Sequence, residues 1–163
     1  MNTRRSFLLN SATAAGAGVG SLLLGSRAFA HDYEVTHTDA EWRKILSPQA
    51  YEVMRHDGTE RAGSSPLTDD MRKGTYFCAG CNLALFSSAT KFHSGTGWPS
   101  FWKPLPNAVL TRTDGSYFMT RTEVHCRRCG GHLGHVFNDG PQPTGLRYCM
   151  DGVALKFVPD KTA

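Results

Sequence analysis

The sequence has no uninterrupted apolar run of the ~20 residues that a membrane span requires. Its most apolar stretch, from Leu8 to about Leu24, is broken by Asn10, Ser11, Thr13, Ser21 and several glycines. It also lacks a sustained charge of one sign. Setting aside Arg4, Arg5 and Arg27 in the first thirty residues leaves fifteen of the 18 basic residues against 14 acidic ones, a net charge of about +1. The basic balance of the whole chain therefore belongs mostly to its start, and nothing argues for a nucleic-acid partner. Low-complexity tracts are absent, and the only internal repeat is a pair of short cysteine motifs. An even complement of cysteines is missing as well: there are 5, so disulfide pairing among them leaves one over.

The first thirty residues read as an export signal rather than as part of the fold. Thr3-Arg4-Arg5-Ser6-Phe7-Leu8 is a twin-arginine pattern, the apolar run follows it, and Ala28-Phe29-Ala30 is a small-x-small cleavage site. The expectation is a periplasmic protein that begins at His31 after cleavage and keeps no stable association with the membrane. The twin-arginine route carries folded proteins, which suits a chain that must load a metal before export. Residues 31–163 fit one domain with a modest core, to which a bound structural metal would add stability.

Cys78-Ala79-Gly80-Cys81 and Cys126-Arg127-Arg128-Cys129 are two C-x-x-C pairs with 44 residues between them. Two such knuckles make a closed four-thiolate site for one structural zinc ion. The competing readings are two local disulfides or a redox pair. A redox C-x-x-C usually opens a helix in a βαβ setting, whereas these lie between strand-like runs. Cys149 is then the odd thiol. It stands between Arg147 and Asp151 in a strand-like stretch, and it reads as a nucleophile that the other four cysteines hold in a scaffold.

Thr36 to Leu46 predicts a short helix capped by Thr38 or Asp39, with Trp42, Ile45 and Leu46 as its apolar face. Ser47-Pro48 opens a second helix that Gly58 can end. From Lys73 onward, short aromatic and β-branched runs alternate with Gly, Asn and Asp turns, the texture of antiparallel sheets. Ala108–Arg112 and Ser116–Thr120 are expected to pair as a hairpin across Asp114-Gly115. Arg147–Cys149 and Val153–Val158 are expected to pair across Asp151-Gly152.

His132 and His135 are three residues apart, which puts them on opposite faces of a regular strand. They share a pocket only if the Leu133-Gly134 backbone bends. In the glycine-flanked loop Ser94-Gly95-Thr96-Gly97-Trp98-Pro99-Ser100-Phe101, Trp98 is either a core plug or a platform for a small apolar group. Composition leaves both open. A non-enzymatic zinc module explains the knuckles but not Cys149, the two histidines and Trp98 together. A disulfide oxidoreductase using the C-x-x-C pairs is excluded by a metal bound on them.

Several motifs in order, Gly74-Thr75-Tyr76, Cys78-x-x-Cys81, Lys91-Phe92, Ser94 through Phe101, Glu123-Val124, Cys126-x-x-Cys129, Gly131 through Pro141 and Arg147-Tyr148-Cys149, resemble the B-type methionine-R-sulfoxide reductases. The resemblance runs from about Glu41 to Val158. It implies a mainly β fold of two antiparallel sheets in a barrel-like arrangement, with short N-terminal helices and a zinc remote from the active site. It implies Cys149 as nucleophile, His132 and His135 as proton donors near the sulfoxide oxygen, and Trp98 holding the substrate methyl group. Arg147 would support the site, and Phe101 stands in the same substrate-binding motif. The implied substrate is the R epimer of methionine sulfoxide in oxidised polypeptides. Two positions depart from the pattern. Many members carry a resolving cysteine where this chain has Thr96, so an external thiol, such as a thioredoxin-like partner, is expected to reduce the enzyme. Many carry asparagine where this chain has Asp151, whose carboxyl would raise the Cys149 pKa unless paired, for example with Arg147, or would itself act as a proton donor. No feature specifies an oligomer, so a monomer is the default expectation.

Overall fold

Cap chemistry starts both helices where the sequence puts them. In the computed structural model, which describes residues 32–116 and 119–161, Thr38 caps α1 (Asp39–Ile45), and its hydroxyl and Glu41 form a reciprocal capping box. Ser47 caps α2 (Pro48–His56), with Pro48 in the first turn. Asp57, in the left-handed conformation, ends α2 one residue before the expected glycine. Trp42 and Leu46 are buried as expected, but Ile45, in the last turn of α1, is exposed. The first thirty residues, with the expected export signal, lie outside the described residues. Among those described, no helix is long and apolar enough to cross a membrane.

The rest is β. The strands are β1 (Gly74–Cys78), β2 (Ala84–Ser87), β3 (Lys91–Phe92), β4 (Ser100–Phe101), β5 (Val109–Asp114), β6 (Arg121–Cys126), β7 (His132–Phe137), β8 (Arg147–Met150) and β9 (Leu155–Pro159). They form two antiparallel sheets, as expected: a three-stranded one in the order β2-β1-β9 and a six-stranded one in the order β3-β4-β8-β7-β6-β5. The residues from Asp32 onward make one compact unit.

Two expected pairings are corrected. β5 pairs with β6, so the partner of the Ala108–Arg112 run is Arg121–Cys126 rather than Ser116–Thr120. Ser116, Met119 and Thr120 lie outside any strand, and Tyr117 and Phe118 are not described. Second, β8 and β9 belong to different sheets: β8 lies between β4 and β7, and β9 pairs with β1. The short 3-10 turn Gly152–Ala154 carries the chain from one sheet to the other.

The core fills the space between the sheets. Phe101 stacks on Phe86 with ring centroids 4.4 Å apart and meets Tyr76 edge-on at 4.9 Å. Leu85, Val124, Leu133 and Met150 are buried around them. The helices cover the hairpin tips that hold the cysteine pairs. Trp42 leaves less room than a methyl group needs at Gly80, Met54 does the same at Gly131, and Arg55 donates to the Cys129 carbonyl at 3.2 Å.

Candidate active site and four-cysteine cluster

Alternation along the strands sorts the residues of the Ser94–Phe101 loop. Ser100 lies opposite Cys149, and Phe101 opposite Tyr148. Neighbouring residues of a strand face opposite ways, so Ser100 shares the face of Cys149 while Phe101 points into the core. Phe101 has no exposed surface, and its side chain packs against Phe86 and Tyr76 rather than lining the pocket of Cys149. On the face that carries Cys149, the register sets up a row across five strands: Ser100 on β4, Cys149 on β8, His135 on β7, Glu123 on β6 and Arg112 on β5.

His132 joins that face through a bulge. Gly134 pairs with Val124 and His132 with His125, which leaves Leu133 as the extra residue. Gly134 sits at φ +141°, and a Cβ there would lie 2.1 Å from the Cys149 carbonyl oxygen, so this bend requires glycine. The imidazoles of His132 and His135 come within 5.3 Å of each other.

Cys149 lines a pocket of about 100 Å³ with Trp98, His135, Asp151, Thr59, Arg121, Gly134 and Phe137. His132 and His135 both line a neighbouring polar pocket of about 520 Å³, so His135 stands between the two, and His132 reaches the Cys149 pocket through Asp151. Trp98 is half-buried rather than a core plug. Its indole N–H donates to the Glu60 carbonyl at 3.2 Å, which leaves the ring against the pocket.

The polar groups are wired specifically. Glu123 is buried, and its carboxylate accepts from His132 Nδ1 at 2.9 Å and from Arg112 Nε. Burial opposes its ionisation, but those two donors outweigh it and keep the carboxyl below its usual range. With Nδ1 carrying the proton, His132 Nε2 is the free ring nitrogen. It is buried, makes no hydrogen bond, and lies 3.8 Å from Asp151 Oδ2. Burial lowers the His135 pKa against the pull of Asp114. The neutral ring donates from Nε2 to Asp114 Oδ2 at 2.7 Å.

Asp151 is 3% exposed, and burial raises its carboxyl pKa to about 6. It does not pair with Arg147. Arg147 makes a bidentate pair with Asp139, two bonds of 2.8 Å, and lies over the Phe137 ring at 4.4 Å. Two residues along β8 from Cys149, it shares the thiol's face. The Cys149 pKa is raised, chiefly by burial, and the Asp151 carboxyl adds to this. A contact with Thr96 Oγ1 at 3.7 Å, the Arg147 charge and Ser100 act against it. Arg147 alone therefore does not make the resting thiol acidic. Ser94 hydrogen-bonds Thr96 at 2.8 Å and Ser100 at 2.7 Å, linking the hydroxyls beside the sulfur.

The other four cysteines come together between the sheets, at the tips of the β1–β2 and β6–β7 hairpins. Their sulfurs all lie within 4.8 Å of one another, with Cys78–Cys129 at 3.7 Å and Cys81–Cys126 at 3.5 Å. None is in a disulfide. A tetrahedron with metal–sulfur bonds of ~2.3 Å has edges of ~3.8 Å, so the cluster fits a metal ion. Mutual hydrogen bonding drives the Cys78 thiol up and the Cys81 thiol down.

Neither Glu60 nor Glu123 is assigned a role in the sequence reading, yet both organise the site. Glu60 lies in a polar loop with no motif of its own. Glu123 stands in the Glu123-Val124 motif of the resemblance, but its role rests on lying opposite His135, a fact of register that a single chain does not display.

An odd thiol in a small pocket, flanked by an indole and two carboxylate-tethered histidines, in a chain whose other four cysteines form a separate cluster, defines a thiol-dependent oxidoreductase site. Comparison with known proteins agrees. A model of the SelR domain matches residues 46–159. A protein of Leptospira interrogans named peptide methionine sulfoxide reductase MsrB is 53% identical over 127 residues, 77% of this chain and 97% of its own length. The proteins of that name from Methanosarcina barkeri and Thiobacillus denitrificans are each 54% identical, over 124 and 123 residues, covering 76% and 75% of this chain and 87% and 93% of theirs. The chain belongs to the SelR-domain family, the MsrB-type peptide methionine sulfoxide reductases.

Proposed function

We propose that the chain reduces methionine-R-sulfoxide in oxidised polypeptides to methionine, with Cys149 as the nucleophile. The observation that carries this reading is the pocket itself. It gathers the one thiol outside the metal cluster, an indole face for the substrate methyl group, and the His135 and Asp151 groups able to meet the oxygen. The Cys149 sulfur attacks the sulfoxide sulfur, and the sulfur–oxygen bond of the substrate breaks. Oxygen leaves with the thiol's sulfur, giving methionine and a sulfenic acid on Cys149, a two-electron oxidation of the cysteine. Asp151, whose carboxyl holds its proton up to about pH 6, supplies the proton that makes the oxygen transferable, and the free His132 Nε2, 3.8 Å from it, is placed to exchange a proton with it. An external thiol then forms a mixed disulfide with Cys149 and releases water, and a second thiol frees the enzyme. Thr96 beside the sulfur, in place of a cysteine, leaves reduction to that partner.

Cys78, Cys81, Cys126 and Cys129 hold one structural zinc ion, whose chemistry is to tie the tips of the two sheets together. Export by the twin-arginine route delivers the folded protein to the periplasm. Replacing Arg4 and Arg5 by lysine then traps it in the cytoplasm; unimpaired export of that variant excludes this route. The decisive test of the reaction is thiol-driven reduction of a methionine-sulfoxide peptide with the epimers resolved, comparing the wild type with Cys149→Ser. Turnover of the R epimer alone, lost in the variant, is expected. No turnover of either epimer by the folded, zinc-loaded protein would reject the reading.

A further inference from the structure

Asp151 precedes the 3-10 turn Gly152–Ala154 as its N-cap residue, yet its side chain makes no cap hydrogen bond. An aspartate there would ordinarily turn back to accept the exposed N–H groups of its own turn. Glu60 does so instead. Its carboxylate accepts from Gly152 N at 2.6 Å and from Val153 N at 3.2 Å, although Glu60 lies 92 residues before the first and 93 before the second. The same residue donates its backbone N–H to Asp151 Oδ1 at 2.8 Å and accepts the Trp98 indole N–H on its carbonyl at 3.2 Å. It is 3% exposed and has no cationic partner among the described residues. Ser65 closes the space over Gly152: a Cβ there would meet the serine hydroxyl at 1.9 Å. One buried residue thus fixes the indole, the carboxyl and the turn that follows the reacting strand.

We propose that Glu60 is a positioning residue: by capping the Gly152–Ala154 turn in place of Asp151, it keeps the Asp151 carboxyl turned toward Cys149 and His132. This rests on the reading of Cys149 as the reacting thiol. The charged and titratable groups facing Asp151 are Glu60 from the loop after α2, His132 from β7 and Cys149 from the strand before it; Arg121 from β6 and His135 from β7 line the same pocket, and Arg147 faces the thiol along β8. Beyond His132 lies Glu123, paired with Arg112. Without the glutamate cap, Asp151 swings to its own turn, and its charge leaves the neighbourhood of the thiol.

The test is the pH dependence of Cys149 alkylation by iodoacetamide in the metal-loaded full chain, for wild type, Asp151→Asn, Glu60→Gln and the double variant. Asp151→Asn removes a charge that raises the thiol pKa, so its midpoint falls, by roughly half a pH unit or more. Glu60→Gln shifts it the same way, and the double variant moves no further than Asp151→Asn. Glu60→Asp keeps the charge but is one methylene too short, and gives the same shift if the glutamine variant does not fold. A wild-type midpoint in the Glu60 variants beside a lowered one in Asp151→Asn overturns the proposal. Additive shifts overturn it too, since Glu60 would then act through its own charge. An unmoved midpoint in Asp151→Asn also overturns it. Alkylation needs no turnover, so a protein that behaves as expected here and reduces neither sulfoxide epimer would sink the proposed function alone.

Discussion

Four cysteines stand at two hairpin tips, and the fifth lies within β8. In the cluster, every sulfur has other sulfurs as neighbours at 3.5 to 3.7 Å, and each pair is delivered by a local turn. Around Cys149 nothing is local except Arg147 and Asp151. Its neighbours come from the loop before β4 and from β7, and their own supports come from β6, β5 and the loop after α2. The cluster is thus a device that two short motifs can specify, whereas the environment of Cys149 is a product of sheet register. The difference teaches that stability and reactivity of the same side chain are encoded at different ranges along the chain.

The comparison breaks most sharply under metal removal. Cys126→Ser, or stripping the metal with a chelator, should unlink the two sheets and unfold the domain, since four-thiolate zinc sites supply on the order of 10 kcal/mol to folding. Cys149→Ser should leave metal content and melting temperature unchanged while abolishing turnover. Metal analysis with thermal melts checks both, and a fall in bound metal for Cys149→Ser would blur the division. Next in size, Phe101→Ala should cost about 3–5 kcal/mol as a core cavity, with the KM of the remaining folded enzyme unchanged. A large rise in KM would return Phe101 to the substrate pocket.

A smaller effect follows from Asp151. Its folded pKa of about 6 lies above the usual carboxylate value, so the folded state holds a proton that the unfolded chain has released. The stability this gives is present in full below about pH 4 and is lost as pH rises to about 6, a decline of up to about 3 kcal/mol. Asp151→Asn should remove that decline, which denaturant melts at pH 4.5 and 7.5 would register; parallel curves for both proteins would contradict it. Smallest, Arg147→Lys gives up the bidentate geometry with Asp139 and the stacking on Phe137. About a tenfold loss in kcat/KM is expected, with melting shifted by no more than ~1 kcal/mol. Wild-type activity would mean that only the positive charge matters.

The chain by itself determined the helix starts, because Thr38, Ser47 and Pro48 act on backbone groups within one turn. It also picked out the four cysteines that come together as a possible metal site, because a C-x-x-C turn brings its two sulfurs together without help. That Cys149 stands apart from the other four cysteines followed by subtraction, and the strand texture indicated antiparallel sheets, while their number came only with the family resemblance. Which strand pairs with which was decided only in three dimensions: β8 and β9 are joined by a tight turn that invites a hairpin, yet burial of their apolar faces in different sheets wins. The faces of Ser100 and Phe101 depended on the register of β4 against β8, and the meeting of His132 with His135 on the bulge at Leu133. Glu60, 89 residues before Cys149, had no local signature at all, since its work is done by a carboxylate whose partners exist only once the loop has packed against the far end of the chain.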